Sequence, residues 1–283
     1  MSEQGNDEAA FRDSDQYVGR ERWKRSMVTA HAGTQARNYA EDAAGKSAFN
    51  KAIAFLKIRV FLWVGSYLKS RFGRRYPFPT YPTAGSDNGV YDLAAAPGAP
   101  EAAAPVVVSL LGDWGSGTWE AYDAAGRVMG DGPHYTIHLG DIYYVGSPQE
   151  VQDNMLGGKV QWPAGSRGSF ALNANHEMYS QGKGYFQVLL PQLGPDGGQG
   201  QKASFFCLKN DHWLVIGLDT GYNSIGIPIL EMIFRPDCHF PPALMTWLQE
   251  EVRLQDDKKR GVIFLSHHQY YSQFESAYDR PAQ

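Results

Sequence analysis

The chain reads as an α/β protein, and three features point to that class. Short apolar runs of strand length recur from Val106 onward. Loops rich in Gly, Asp, Asn and His follow four of them. Segments with apolar residues at helical spacing lie between some of these units.

Val106 to Leu111 is an almost continuous apolar run, as expected of a strand covered on both faces. Thr118 to Met129 reads as a helix, and Tyr135 to Leu139 as the next strand. Ser169 to Leu172 is a short third strand. Ser204 to Leu208 and Trp213 to Leu218 form a hairpin that turns at Lys209-Asn210-Asp211. Pro241-Pro242 opens a helix with Leu244, Trp247, Leu248 and Val252 on one face. Val262 to Leu265 is the last strand.

The 283 residues suffice for one sizeable α/β domain plus an appendage. A composition of 43% hydrophobic and 20% charged residues is ordinary for a globular protein. The net charge of -4 supplies no overall basic field, so no nucleic-acid partner is expected. Cys207 and Cys238 form no C-x-x-C pair and are read as small apolar residues. The N-terminus is polar and acidic, unlike a secretory signal, which makes cytoplasmic residence the expectation.

Four regions follow from the pattern. Residues 1–45 are a polar, mobile tail, and 46–76 an amphipathic basic helix. Residues 77–105 are a Pro/Gly/Ala-rich linker, and 106–283 the main domain. In the helix, Ile53, Leu56, Val60, Trp63, Val64 and Tyr67 form an apolar stripe bordered by Lys57, Arg59, Lys69, Arg71, Arg74 and Arg75. Its uncharged stretch falls short of the ~20 residues a spanning helix needs. It either packs on the main domain or, over 48–72, meets a membrane surface or a partner.

Ligand sites of open α/β sheets lie beyond the carboxyl ends of the strands. Gly112-Asp113-Trp114-Gly115, Gly140-Asp141-Ile142-Tyr143-Tyr144, Ala174-Asn175-His176-Glu177 and Leu265-Ser266-His267-His268 all occupy that position. A single Gly-Asp after a strand is only a turn. Four such loops, each with a ligand side chain, point to metal chemistry.

In these blocks and their order the chain resembles the calcineurin-like metallophosphoesterase superfamily, and within it the purple-acid-phosphatase type. The likeness runs from about Val106 to the C-terminus. It implies a metallo-dependent phosphatase-like four-layer αββα sandwich, incomplete at its C-terminus and preceded by a helical region. It also implies two metal ions, Fe(III) with a divalent Fe, Zn or Mn, acting on a phosphate-ester substrate through a metal-bound hydroxide.

Carried over by position, Asp113 and Tyr144 would hold the first metal, and Asp141 would bridge both. Asn175 and His267 would hold the second. The family spacing picks Tyr144 to replace the ligand lost at Gly115, with Tyr143 as the competing phenol. His176 would protonate the leaving oxygen or stabilise transition-state charge, and Glu177 would orient it. His268, Tyr222 and Asn223 are possible supporting or substrate-contacting residues. Asp219 is expected to link loops, and His138 to pack in its strand.

Two departures accompany the likeness. Ala174 stands where the family usually has Gly, so strain in the Asn175 loop is expected. No G-H-x-H block follows His268, so an apparently truncated domain is expected, with poor solubility or association. The alternative function is a catalytically impaired or inactive fragment with a binding or association role.

Overall fold

The structure is a computed structural model that describes residues 64–65, 67–82, 87–95, 105–117, 119–157, 161–195, 200–224, 226–227 and 238–269. The expected tail 1–45, most of the expected helix and everything after residue 269 lie outside the described residues.

Two four-stranded sheets form the frame. The first contains β2 (Val108–Leu111), β3 (Tyr135–His138), β4 (Gly168–Ala171) and β5 (Gly194–Pro195), in that order. The second has the order β1 (Val90–Asp92), β6 (Phe206–Lys209), β7 (Trp213–Gly217), β8 (Gly261–Leu265). β2, β3 and β4 are parallel to one another, β6 and β7 form the antiparallel hairpin, and β8 is parallel to β7. The mixed α/β class expected from the pattern is therefore observed.

Period-two alternation splits β6 and β7 between two apolar clusters. Tyr135, Ile137, Phe170, Phe206, Leu208 and Val215 meet between the sheets. There the Phe170 and Phe206 rings stack with centroids 4.5 Å apart. The opposite face of the first sheet is covered by α1 (Trp119–Gly130) through Ala121 and Ala125, and by Val151 of the short helix α2 (Pro148–Val151). The four-residue helix α3 (Asn175–Met178) adds Met178 to that cluster. The outer face of the second sheet packs Cys207, Leu214 and Ile216 against Leu244 and Trp247 of α4 (Pro242–Trp247). The order is thus helix, sheet, sheet, helix.

Part of the expected linker is built into this frame. β1 pairs in parallel with β6. Just before it, Tyr76 stacks on Phe186 and Phe78 on Phe205, while the buried Tyr81 hydroxyl donates to the Phe205 carbonyl. Tyr76 ahead of the prolines, and Phe78 and Tyr81 between them, pack this stretch against the core, because their burial outweighs the turn-forming composition.

Candidate metal centre

β2, β3 and β4 deliver their following loops to one edge of the sandwich, and β8 delivers His267 to the same place. The Asp113 amide donates to the Gly140 carbonyl at 2.9 Å, joining the first two loops. His267 Nδ1 lies 3.1 Å from the Leu139 carbonyl, joining the last strand to the second.

Both aspartates sit in the left-handed backbone region, with φ of 58° at Asp113 and 66° at Asp141. That conformation is uncommon outside glycine and concentrates at functional sites. Gly140, at φ 99°, makes the second turn possible. A Cβ there would lie 2.7 Å from the Ala174 methyl and 3.1 Å from His267 Cβ. Gly115 faces a similar limit, since its Cβ would meet Ile142 Cγ2 at 2.9 Å. Ala174 itself is extended at φ -138°, so the strain expected from its missing glycine does not arise. The close approach is absorbed by Gly140 instead.

Asp141 is buried and central. Its Oδ2 lies 3.4 Å from His267 Nε2 and 3.7 Å from His176 Nε2, and its Oδ1 accepts from the His176 amide at 3.2 Å. Burial alone would raise its pKa, but the His267 hydrogen bond and the two imidazoles hold it below the usual carboxylate range. His267 is the reciprocal case. Burial would lower it, and the bond to Asp141 together with surrounding carboxylates raises it above the ordinary imidazole range.

Each imidazole is oriented by a backbone carbonyl at Nδ1: Tyr144 for His176 at 2.7 Å, Leu139 for His267 at 3.1 Å. With Nδ1–H donating, Nε2 faces the carboxylate. This is the arrangement in which a histidine presents a lone pair to a metal while its other nitrogen is held. Two donors each ~2.1 Å from one cation stand roughly 3.0–3.4 Å apart, and the Asp141–His267 edge matches that spacing.

Asp113 is exposed, and its Oδ1 accepts from the Tyr143 hydroxyl at 2.7 Å. The phenol brought to Asp113 is thus Tyr143, which the family spacing had disfavoured. Tyr144 is fixed here through its backbone, with its amide donating to Glu150 and its carbonyl accepting from His176. Asn175 Nδ2 donates to the Tyr179 hydroxyl at 2.8 Å, so Oδ1 is the end of the amide not used in that bond.

Glu177 does something other than orient His176. Its fully buried carboxylate accepts from the amides of Asp141 at 3.3 Å, Ile142 at 2.9 Å and Ala174 at 3.0 Å. One side chain therefore clamps the second and third loops together. Burial and the Asp141 charge push its pKa up against the pull of those amides. Glu150 holds the adjoining loop in the same manner. It accepts from the amides of Tyr144, Val145 and Ser147 in a capping box at the start of α2. The Ser147-Pro148-Gln149-Glu150 string carried the signal for that box.

The remaining candidates are placed as follows. His268 is buried, with its amide and Nδ1 on Thr220 Oγ1 at 3.2 and 2.9 Å, and burial pushes its pKa down to about 4. The Tyr222 hydroxyl donates to the Tyr76 carbonyl, and its ring meets Phe78, Phe186 and Arg75. Asn223 Nδ2 donates to the His239 carbonyl at 2.8 Å. Tyr222 and Asn223 are thus engaged with neighbouring segments of the fold rather than with the Asp141 cluster. Asp219 links loops as expected, accepting from Ser204, Asn173 and the amides of Gly221 and Tyr222. His138 packs edge-on against Trp162 inside the first sheet.

Among the described residues, no group of three or more His, Cys, Asp or Glu side chains is placed to hold a metal ion. Each metal position implied by the resemblance contains only two residues of those types, completed by an amide or a phenol. No protein-family model, curated protein or solved structure matches the chain.

Proposed function

We propose that the protein is a metal-dependent phosphoester hydrolase of the calcineurin-like metallophosphoesterase type, on the four-layer fold of that superfamily. The observation that carries this reading is the meeting of Asp141 with His267 and His176, beside a second left-handed aspartate, at the carboxyl ends of strands from both sheets.

Asp141 and His267 would hold one cation, with Asn175 as the amide donor. Asp113 would hold a second through its carboxylate, with a Tyr143 or Tyr144 phenol beside it and Asp141 shared. A ferric ion paired with divalent Fe, Zn or Mn suits that donor set. When bound, such a pair polarises phosphoryl oxygens and supplies hydroxide near neutral pH.

The chain's own groups do the rest. Buried Asp141 keeps negative charge between the two positions. His176 Nε2 lies at the edge of the cluster, where it can donate a proton to the departing alkoxide or aryloxide oxygen. With Nδ1–H held by the Tyr144 carbonyl, the proton transferred is the one Nε2 carries in the imidazolium, and the ring is left as the neutral Nδ1–H tautomer. Glu177 and Gly140 hold the loops at the spacing this needs.

The test is hydrolysis of an aryl phosphate by the purified chain with Mn(II), Zn(II) or Fe added, alongside Asp141→Asn and His176→Asn, with metal content measured by mass spectrometry. The expected result is two metals per chain and a loss of about 10²–10³-fold or more in kcat for each substitution. Activity unchanged by Asp141→Asn would sink the proposal. A wild type that binds at most one equivalent and hydrolyses nothing would leave the binding or association role.

A further inference from the structure

The N-terminal helix meets the domain by one face and leaves an apolar ridge on the other. Residues 64–65 and 67–71 are helical. Tyr67 points inward: its hydroxyl donates to the Gly226 carbonyl at 3.2 Å, and its ring meets Tyr179 edge-on at 6.2 Å. Val64 and Leu68, one turn apart, and Phe72, four residues further on, are 38%, 53% and 78% exposed. Single exposed apolar residues need no explanation, but two on one helix followed by a third just past its end make a patch.

The charge along this stretch of sequence is one-sided. From Ala43 to Ser86 the sequence carries eight Lys or Arg and no Asp or Glu, within a chain whose net charge is -4. Lys69 and Arg74 beside the ridge are exposed. Among the described residues, no helix is long and apolar enough to cross a membrane.

We propose that this face docks on an anionic lipid surface, with Val64, Leu68 and Phe72 entering the headgroup–acyl boundary and Lys69 and Arg74 meeting lipid phosphates. A basic helix with bulky aliphatic and aromatic side chains on one side has the chemistry of an interfacial anchor. A nucleic acid would engage the cations and leave the ridge in water. An acidic protein would need a groove for a side chain as projecting as Phe72, whereas acyl chains accept it in any orientation.

The consequence is positional. Tyr67 touches Tyr179, and the Tyr179 ring lies 4.7 Å from that of His176. Docking through this helix would hold the metal-site loops close to the lipid surface, whether or not the site turns over phosphate esters.

Co-sedimentation of the full chain with vesicles tests this, using phosphatidylcholine alone and phosphatidylcholine with about one-third phosphatidylserine. Expected is binding to the anionic vesicles only, weakened by salt. Leu68→Ser with Phe72→Ser should reduce it at least tenfold, and Lys69→Gln with Arg74→Gln about fivefold per charge. All four side chains are exposed, so the melting temperature should stay within about two degrees, and the charge pair serves as a second probe if the ridge variant melts lower. No binding to anionic vesicles, or binding indifferent to both pairs, would overturn the proposal. Self-association without vesicle binding, abolished by the ridge substitutions, would overturn it in favour of a second copy as occupant.

Discussion

The strand that presents Asp141 and the strand that presents His267 sit in opposite surroundings. β3 is buried at all four positions, flanked by β2 and β4, and covered on both faces. β8 ends its sheet, paired only with β7 among the described residues, and Val262, Ile263 and Phe264 are 39%, 41% and 54% exposed. The loops of the first sheet are also cross-braced by Glu177, whereas His267 is tied to them by the Leu139 carbonyl and Asp141. The candidate site is therefore assembled from a rigid half and a half carried by an edge strand. Asp141 is placed by a buried central strand and the Glu177 brace, and the imidazole that meets it depends on how well β8 is held.

The sharpest way to break that contrast is to remove the brace. Glu177→Ala leaves three buried amides without their acceptor. The expected loss is about 3–5 kcal/mol of folding stability, read by urea unfolding. His267→Ala takes its main partner from the buried Asp141 carboxylate, which His176 still contacts, and should cost about 1–3 kcal/mol, with metal retention lost as well. Equal losses from the two substitutions would show that the halves do not differ.

Acid should act on the rigid half first. Burial pushes the His138 pKa down to about 3, and neither ring nitrogen has a hydrogen-bond partner. The unfolded imidazole takes up a proton near pH 6.5 and the folded one only near pH 3. Stability is therefore full above about pH 6.5 and falls by roughly 1.4 kcal/mol per pH unit below it, until the folded group titrates. Thermal melts at pH 7.5 and pH 5 should differ by about 2 kcal/mol from this group. His138→Phe keeps the aromatic contact with Trp162 and should flatten that difference.

The smallest effect concerns the edge itself. Phe264→Lys places a charge on a strand that ends its sheet among the described residues, a device that discourages strand-to-strand association. Light scattering at high concentration should fall while the melting temperature moves by no more than about two degrees. An unchanged scattering profile would mean that β8 is not the association surface.

The positions of β2, β3, β4, β7 and β8, and the chemistry-bearing loops after four of them, could be read from local pattern. Apolar runs, glycine and a following ligand side chain are all neighbours in the chain. The aromatic strap before β1 was hidden because every aromatic in it adjoins a proline, while its burial depends on Phe186 and Phe205, far away in sequence. The paired glycine and alanine at Gly140 and Ala174 show the same limit. Only in space does the missing glycine of one loop become the requirement of another.

Sequence alone thus shows which residues after the strands carry donor atoms and that the class is α/β, because strand periodicity and turn chemistry are local. The tertiary structure decides which groups meet. The Tyr143 hydroxyl reaches Asp113 across 30 residues. Glu177 holds the Asp141 amide across 36 residues rather than orienting its neighbour His176. The exposed face of the N-terminal helix belongs to the same category. These are choices among side chains of equal chemistry, and only long-range packing separates them, by setting which atoms come within hydrogen-bond distance.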